Sequence, residues 1–220
     1  MTDLVFLEPN KLGSEPFTTS DVIAAQAQIS YRSVQRMIER HENDLAEFGQ
    51  VRFQITPVKY ARGTNDKKIY QLNEQQATLL ITYLKNTPPV RQFKKDLVQE
   101  FYRMRRELTR RQIFRDAGKP IRRTLTDAIR DSGEDGRMHG HAYGTYTDLA
   151  YKAATGKIAR ILRKERGASA KAIATDFLTS DELSAYNKAE ERLTVLLDMG
   201  LTYDQIKTLL LVQTSKRLAG

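Results

Sequence analysis

The sequence contains no cysteine and no tryptophan, and its longest uninterrupted apolar runs are four residues, as in Leu209–Val212. Without cysteine there can be no disulfide scaffold, no thiolate nucleophile and no cysteine-ligated zinc or iron–sulfur site. A transmembrane helix needs about 20 predominantly apolar residues, so we expect no membrane-spanning segment. The first residues, Met1–Val5, lack the basic and apolar regions of a signal peptide, and a cytosolic protein is therefore expected.

Positive charge exceeds negative charge, and the excess is unevenly distributed. The 220 residues include 36 basic and 27 acidic side chains. The net charge is −4 over residues 1–50, +9 over residues 51–118, +5 over residues 119–170 and −1 over residues 171–220. A basic central region suits a polyanion, and nucleic acid is the commonest polyanion in the cytosol. A solvated basic surface is the alternative interpretation.

Two helices with a short break between them are predicted near the N-terminus. Thr19 or Ser20 can cap the first helix, because either hydroxyl can accept a hydrogen bond from the unpaired amides of the first turn. Ser30 is placed to cap the second helix, which is predicted from Tyr31 to about Phe48 on its apolar spacing.

The residues around this break have the pattern of a helix-turn-helix. Ala24 is small where the two helices would cross closely, Ile29 would fill the turn, and Val34 has the spacing to pack against the first helix. Gln28 departs from the pattern, because the turn position is usually glycine. An ordinary amphipathic helical hairpin with a polar outer face is the alternative.

A β-hairpin is predicted after the second helix. Val51–Ile55 alternates apolar and polar residues, which predicts a half-buried strand, and Pro57 limits that strand to an edge or ends it. Ala61–Lys67 is a turn-rich basic loop, and Ile69–Leu72 is the returning strand. Two helices followed by a hairpin with a basic tip predict a winged helix-turn-helix.

In such a module the second helix enters the major groove and the hairpin approaches the DNA backbone. Arginine can bind guanine, glutamine can bind adenine, and lysine can hold phosphates. The residues predicted to contact base edges are Arg32, Ser33, Gln35 and Arg36. The residues predicted to contact phosphates are Tyr31, Arg40, Lys59, Arg62, Lys67 and Lys68.

Two further helices complete the predicted N-terminal module. One begins at Asn73–Glu74, and a long one runs from Val90 to about Arg115, before a hinge at Gly118–Pro120. The second half of the long helix is rich in arginine. This stripe suits either phosphates or a solvated helix whose apolar seam pairs with a partner.

The N-terminal half resembles a known family. The resemblance lies in Phe17-Thr-Thr-Ser-Asp-Val, in Ser33-Val34 with the run to Phe48-Gly49, in Tyr70-Gln-Leu-Asn-Glu-Gln-Gln-Ala-Thr-Leu-Leu, and in Phe93-Lys-Lys-Asp-Leu-Val with Phe101 and Met104-Arg105. Over about residues 16–106 these segments resemble the phage regulatory protein Rha family.

The resemblance implies a regulator encoded by temperate phages, in a group often called antirepressors, with a DNA-binding-like N-terminal module. It implies no enzymatic activity and no catalytic residues. It leaves open whether DNA or a phage repressor protein is the main partner. The wing loop, Arg62-Gly63-Thr64-Asn65, departs from the family pattern, in which a glycine-rich turn is more usual.

Residues 119–220 are predicted to form an all-helical region, with a long loop at Gly133–Gly144 that contains four glycines. Thr179 with Glu182, and Thr202 with Gln205, have the spacing of capping boxes that open a final pair of helices. The apolar stripes of this pair need a partner, either the rest of the domain or a second subunit. We expect a homo-oligomer formed through these C-terminal helices.

The segment around His139 and His141 has two interpretations, a metal site and a polar loop. His139 and His141 are two residues apart, with Glu134 and Asp135 nearby, and such side chains can bind metal. The third histidine, His41, is far away in sequence. A metal-dependent nuclease is therefore a remote alternative, a polar loop is favoured, and no cofactor is expected.

The sequence as a whole predicts a mainly α protein with three segments. These are an N-terminal strand and loop over 1–15, a winged helix-turn-helix domain with a long basic helix over 16–116, and a helical assembly or partner domain over 119–220. The predicted function is a phage regulatory protein that binds double-stranded DNA in the host bacterial cytoplasm. It would act on transcription or on the lysis–lysogeny decision, and antirepression by binding a repressor is the alternative.

Overall fold

The structure is a computed structural model that describes residues 3–8, 10–60 and 63–218, and within them not the side chains of 59–60, 63–65 and 212–218. The protein is mainly helical, with a small three-stranded antiparallel sheet near the N-terminus. It divides into two compact units. We call Met1–Glu8 with Gly13–Arg106 the N-terminal unit, and Pro9–Leu12 with Glu107–Gly220 the C-terminal unit.

The N-terminal unit opens with a short strand and two helices. Strand β1 (Phe17–Thr19) leads into α1 (Ser20–Ala27), and the Thr19 hydroxyl accepts a hydrogen bond from the Val22 backbone N–H at 3.3 Å. This confirms Thr19 as the cap of the first helix. Helix α2 (Tyr31–Arg40) starts after Ser30, which was predicted as its cap and accepts a bond from a first-turn amide.

The turn between α1 and α2 is formed by a left-handed residue. Gln28 has φ 54° and ψ 43°, and its backbone N–H bonds back to the carbonyls of Ala24 and Ala25. For a residue other than glycine, this conformation costs roughly 1–2 kcal/mol. The position where glycine is usual therefore has the backbone geometry of a helix-closing turn, although glutamine occupies it.

The second helix is shorter than predicted. It ends at Arg40, and His41, with φ −111° and ψ 25°, separates it from the one-turn helix α3 (Glu42–Ala46). The chain bends at His41, so that Leu45 becomes fully buried while Phe48 stays 37% exposed. The prediction of one continuous helix to Phe48 is therefore wrong.

The sheet has the strand order β1-β3-β2, with β3 in the centre. Strand β2 (Arg52–Tyr60) and strand β3 (Gly63–Asn73) pair from Arg52↔Gln71 to Tyr60↔Gly63. The paired strands therefore occupy much of the predicted loop 61–67. Pro57 lies inside β2, and the edge position tolerates it because a proline there need not donate to a neighbouring strand.

Two helices follow the hairpin. Helix α4 (Glu74–Tyr83) begins with a capping box formed by Asn73 and Gln76. Helix α5 (Pro88–Asp131) is 44 residues long, and it runs through the predicted hinge at Gly118–Pro120. Proline removes one backbone hydrogen bond, but α5 continues to a buried segment around Ile129, and burying that segment offsets the lost bond. The unit boundary at Arg106/Glu107 falls inside α5.

The hydrophobic core of the N-terminal unit is built mainly from α1 to α4, the central strand β3 and the first part of α5. Leu72 of β3 lies beneath the helices, and the core side chains are almost completely inaccessible to solvent. Its largest completely buried members are Ile23, Ile38, Leu45, Leu72, Leu80, Leu97 and Phe101. Burying each of these side chains stabilises the fold by about 1.5–3 kcal/mol.

The described residues of the C-terminal unit form helices and connecting turns. After the end of α5 come α6 (Glu134–Arg137), α7 (Ala142–Thr155), α8 (Ala159–Glu165), a 3-10 turn (Ala174–Phe177), α9 (Ser180–Asp198) and α10 (Tyr203–Leu218). The predicted capping box of Thr179 and Glu182 opens α9. Helices α7 and α9 pack on each other, and the ring centres of Tyr151 on α7 and Tyr186 on α9 are 4.5 Å apart.

The predicted loop 133–144 contains a short helix. In α6 the Glu134 carboxylate is buried. It accepts a hydrogen bond from the Tyr146 hydroxyl at 3.0 Å and forms an ion pair with Arg137 at 2.9 Å. These contacts order the segment, so it is not the long open loop that its glycines predicted. None of the helices in the described part of the chain is both long and apolar enough to cross a membrane.

Candidate nucleic-acid interface

Helix α2 presents one polar face to solvent. Val34 and Ile38 are completely buried against the core, so the opposite side of the helix faces outward. The exposed residues on it include Arg32, Ser33, Arg36 and Arg40. Four of the residues that the sequence predicted to contact DNA therefore lie on one accessible surface, which we call the α2 outer face.

Gln35, another predicted contact on α2, is half-buried and already hydrogen-bonded within the protein. Its Nε2 donates to Glu39 Oε1 at 3.0 Å, and the Tyr70 hydroxyl donates to the same oxygen at 3.2 Å. An amide that reads adenine must use both its nitrogen and its oxygen. Gln35 can contact a base in this way only after it leaves Glu39.

Tyr31 joins α2 to the hairpin. Its hydroxyl donates a hydrogen bond to the backbone carbonyl of Lys68. Burial, with a further contribution from the nearby Asp21 carboxylate, raises the pKa of Tyr31. The hydroxyl therefore stays protonated, and it serves to position α2 against β3. Its predicted contact with a phosphate would require this bond to open.

The two lysines of β3 lie in the body of the hairpin. Lys67 pairs with Thr56, and Lys68 with Ile55, on the neighbouring strand. Lys67 Nζ is 2.7 Å from Asp21 Oδ1 and 4.4 Å from the centre of the Tyr31 ring. Its charge is thus partly neutralised on the inner side of the hairpin.

Lys68 lies over aromatic rings. Its Nζ is 4.1 Å from the centre of the Phe53 ring and 4.6 Å from that of Tyr70. The side-chain hydrogen bond with Tyr70 is the main cause that raises the pKa of Lys68. Lys68 therefore remains a cation that holds the two strands together through its contacts with both rings.

The hairpin tip falls outside the part of the chain whose side chains are described. Arg62 is among the residues that the structure does not describe, and the side chain of Lys59 is likewise not described. Their phosphate contacts stay predictions from the sequence. The structure does place their neighbour Tyr60 opposite Gly63 at the end of the hairpin.

Acidic residues follow directly after the α2 outer face. Asp44 accepts a hydrogen bond from the Tyr83 hydroxyl at 3.1 Å and pairs with His41 at 3.3 Å. Glu42 and Glu47 are exposed beside it. Phosphates would be repelled from this end, so the N-terminal part of α2 is the portion suited to approach DNA.

Two exposed apolar residues on the edge strand were not anticipated. Phe53 is 50% and Ile55 61% exposed, although the alternation of Val51–Ile55 predicted that they would face the core. The buried positions of the sheet are Tyr70 and Leu72 in the central strand. Every residue from Arg52 to Pro57 is exposed, so the prediction of a half-buried strand is wrong for β2.

The described residues contain no group of three or more histidines, aspartates and glutamates that could together hold a metal ion. His139 and His141 are both exposed, and His139 has a left-handed backbone with φ 52°. Glu134, which the sequence placed near these histidines, is buried against Tyr146. The structure therefore gives no support to the remote nuclease alternative.

Comparison with known proteins supports the resemblance that the sequence showed. Residues 18–106 match the family described as phage regulatory protein Rha. This range covers the sheet, α1 to α4 and the first part of α5, and it ends where the N-terminal unit ends. A search of curated proteins found no match to this chain.

Proposed function

We propose, from the match of residues 18–106 to phage regulatory protein Rha, that this segment is a winged helix-turn-helix that binds double-stranded DNA. Helices α1 and α2 would form the helix-turn-helix, α2 would be the recognition helix, and the β2–β3 hairpin would be the wing. The protein would act in the host bacterial cytoplasm on phage transcription or on the lysis–lysogeny decision, and the proposal assigns it no catalytic residue.

The observation that carries this proposal is the α2 outer face. Three arginines and a serine are exposed on one side of a helix whose opposite side completely buries Val34 and Ile38. The helix is fixed at its start by the Ser30 cap and against the hairpin by the Tyr31 and Tyr70 hydroxyls. A helix held this rigidly needs little ordering when it enters a major groove, which favours affinity.

The predicted contact residues are proposed to have different roles. Arg32, Ser33 and Arg36, in the first two turns, are proposed to meet base edges, and Arg40 to meet a phosphate. Lys67 and Lys68 are proposed to set the angle of the hairpin, since both are engaged with Asp21 or with aromatic rings. Contacts by Lys59 and Arg62 at the tip remain part of the proposal.

Binding should be measured with the full chain and a duplex selected from a random DNA library. We expect the double variant Arg32→Ala with Arg36→Ala to lose at least about 30-fold in affinity, because each of the two arginine–guanine pairs contributes about 1–3 kcal/mol and every 1.4 kcal/mol is tenfold. The matched control is Arg91→Ala with Lys95→Ala, which removes the same charge from exposed residues of α5. Equal losses in both variants would contradict base contact by α2.

The salt dependence separates phosphate contacts from base contacts. Arg40→Ala should weaken binding to all duplexes similarly and reduce the slope of log K against log salt by about 1. A wild-type protein that shows no salt-dependent binding to the selected duplex would overturn the DNA proposal.

A specific observation favours a second function, antirepression by protein binding. Phe53 and Ile55 are exposed on the edge strand of the sheet, and an edge strand with apolar side chains suits pairing with another protein. Under this proposal Phe53→Ser with Ile55→Thr would abolish displacement of a phage repressor from its operator. Val98→Thr, at an exposed apolar residue of α5, is the control.

A further inference from the structure

A cavity of about 230 Å³ lies inside the C-terminal unit, between α5, α7, α9 and the 3-10 turn. The side chains that line it and matter here are Arg115, Arg122, Tyr151, Ile173, Tyr186 and Glu190. A dry cavity of about 150 Å³ is known to hold a benzene molecule. The present cavity is therefore large enough for one ring or two fused rings.

Glu190 lines this cavity with one of its oxygens unsatisfied. The residue is 1% exposed, and its Oε1 accepts hydrogen bonds from the Tyr186 hydroxyl at 2.8 Å and from Arg122 Nη1 at 2.9 Å. Its Oε2 is buried and has no hydrogen-bond partner among the described protein atoms. A buried acceptor left unpaired costs about 1–3 kcal/mol, so a ligand N–H that reached Oε2 would be bound favourably.

The charges around the cavity restrict the ligand. Arg115 and Arg122 both line it, and Arg115 Nε also donates to Asp176 Oδ1 at 3.1 Å. Arg122 is paired with Glu190 and Arg115 with Asp176, so these charges balance one another. Burial raises the pKa of Glu190, which also disfavours an additional charge beside it. A neutral ligand with an N–H donor for Oε2 therefore suits this cavity better than a cation.

Two tyrosine rings contribute to the wall of the cavity. The ring centres of Tyr151 and Tyr186 are 4.5 Å apart, and both residues are nearly completely buried. Burial is the main cause that raises the pKa of Tyr151 to about 12 and that of Tyr186 still further, so both remain neutral. Aromatic walls of this kind favour planar rings as ligands.

We propose that this cavity binds a small, neutral, planar heterocycle with an N–H donor, the chemical class of the free nucleobases. Glu190 Oε2 would accept the N–H, and the rings of Tyr151 and Tyr186 would contact the plane of the heterocycle. Ile173, which is 57% exposed and also lines the cavity, marks its opening to solvent.

The first test measures binding of adenine, hypoxanthine and cytosine to the full-length protein by calorimetry and ligand-observed NMR. Benzamidine, a planar cation, is the comparison ligand. We expect at least one base to bind at least 10-fold more tightly than benzamidine. Absence of binding by all three bases at millimolar concentration, or equal binding of benzamidine, would overturn the proposal.

Glu190→Gln tests the acceptor. Because Tyr186 and Arg122 both donate to Oε1, the amide of the variant would keep its oxygen there and turn its NH₂ donor towards the cavity. We expect affinity for the base to fall at least 10-fold. Glu191→Gln, at the exposed neighbouring residue, should leave it unchanged.

Ile173→Trp tests the location without changing a buried residue. The larger side chain should obstruct the opening and weaken base binding at least 10-fold, whereas Ile161→Trp, at a 41% exposed residue outside the lining, should not. Circular dichroism verifies that each variant is folded. If Glu190→Gln does not fold, the comparison of Ile173→Trp with Ile161→Trp still tests where the base binds. Unchanged binding by Ile173→Trp would place the base elsewhere and refute the proposal.

Discussion

Two glycines in helices of this protein have very different surroundings. Gly118 and Gly144 both lie inside α-helices. A Cβ built on Gly118 would be 2.6 Å from the side-chain oxygen of Asn187, whereas a Cβ on Gly144 would meet nothing within 4 Å. Asn187 is buried and donates to the Phe114 carbonyl at 2.8 Å, which restricts its ability to move away.

The two glycines therefore predict opposite mutational effects. Gly144→Ala should stabilise the protein by about 0.5–1 kcal/mol, because alanine is the better helix former. Gly118→Ala should destabilise it by about 1–3 kcal/mol, because overpacking outweighs the helix propensity. Urea denaturation followed by circular dichroism measures both. A stabilised Gly118→Ala variant would show that α9 yields at Asn187.

A carboxylate near the start of α9 makes a second residue-scale prediction. Burial alone would raise the pKa of Glu107, but hydrogen bonds from Arg111 at 2.8 Å and from the backbone and hydroxyl of Ser180 at 2.9 and 2.7 Å lower it to about 2. A lowered pKa in the folded state means that this stabilisation is complete above the pKa of the unfolded chain. It is lost as the pH falls from about 4.5 towards 2.

Glu107→Gln should therefore lower the free energy of unfolding at pH 6 by up to about 3 kcal/mol. The difference from the wild type should shrink as the pH falls from 5 to 2.5. Denaturant titrations across this range measure it, with the exposed Glu191→Gln as the control. If the difference in the free energy of unfolding does not change with pH, the stabilisation by Arg111 and Ser180 does not depend on the negative charge of Glu107.

At the scale of elements, the orientation of α2 depends on contacts with β3. The Tyr31 hydroxyl bonds to the Lys68 carbonyl, and Lys67 covers the Tyr31 ring while it pairs with Asp21 of α1. Three elements that are separate in sequence are thus joined at one point. Such a junction fixes the angle between the proposed recognition helix and the proposed wing.

Tyr31→Phe tests this junction. The ring would be kept, and the Lys68 carbonyl would lose its donor, so we expect a loss of stability of about 0.5–1.5 kcal/mol. DNA affinity should fall less than in the Arg32 and Arg36 double variant, because no DNA contact is removed. Tyr102→Phe, at a 57% exposed tyrosine of α5, is the control. A full loss of DNA binding by Tyr31→Phe would instead support its predicted phosphate contact.

At the scale of the whole molecule, the expected homo-oligomer remains a proposal. Val195 of α9 is 57% exposed, Met199 directly after α9 is 68% exposed, and Leu209 of α10 is 47% exposed. Exposed apolar residues in a helical pair are typical of interfaces when they form one patch.

We expect light scattering after gel filtration to show a dimer or larger species for the wild type. Val195→Glu with Met199→Glu should reduce the mass to that of one chain, since buried charges destabilise an interface. Ile161→Glu, at an exposed apolar residue of α8, should not change it. A wild-type monomer at all concentrations would contradict assembly through these helices.

The local signals in the sequence predicted much of the architecture correctly. Thr19, Ser30 and Thr179 cap the helices that they were expected to cap, because capping depends on a side chain and amides only a few residues away. Apolar spacing likewise identified the buried faces of α2 and α9. The resemblance of residues 16–106 to the Rha family was also visible, because it depends on the sequence alone.

Other features depended on contacts between residues far apart in the chain. The sequence predicted a hinge at Gly118–Pro120, but α5 continues through it to a buried segment, whose packing outweighs one missing hydrogen bond. It placed Lys67 in a basic loop, whereas strand pairing and Asp21 hold that lysine in the hairpin.

The sequence by itself thus determined the helical composition, the caps and the charge excess of the central region, since these follow from neighbouring residues. The tertiary structure decided which charges stay accessible. It exposed the arginines of α2, engaged Lys67 and Lys68, and buried Glu190 beside a cavity. Accessibility and pairing depend on which elements meet, and no local pattern encodes that.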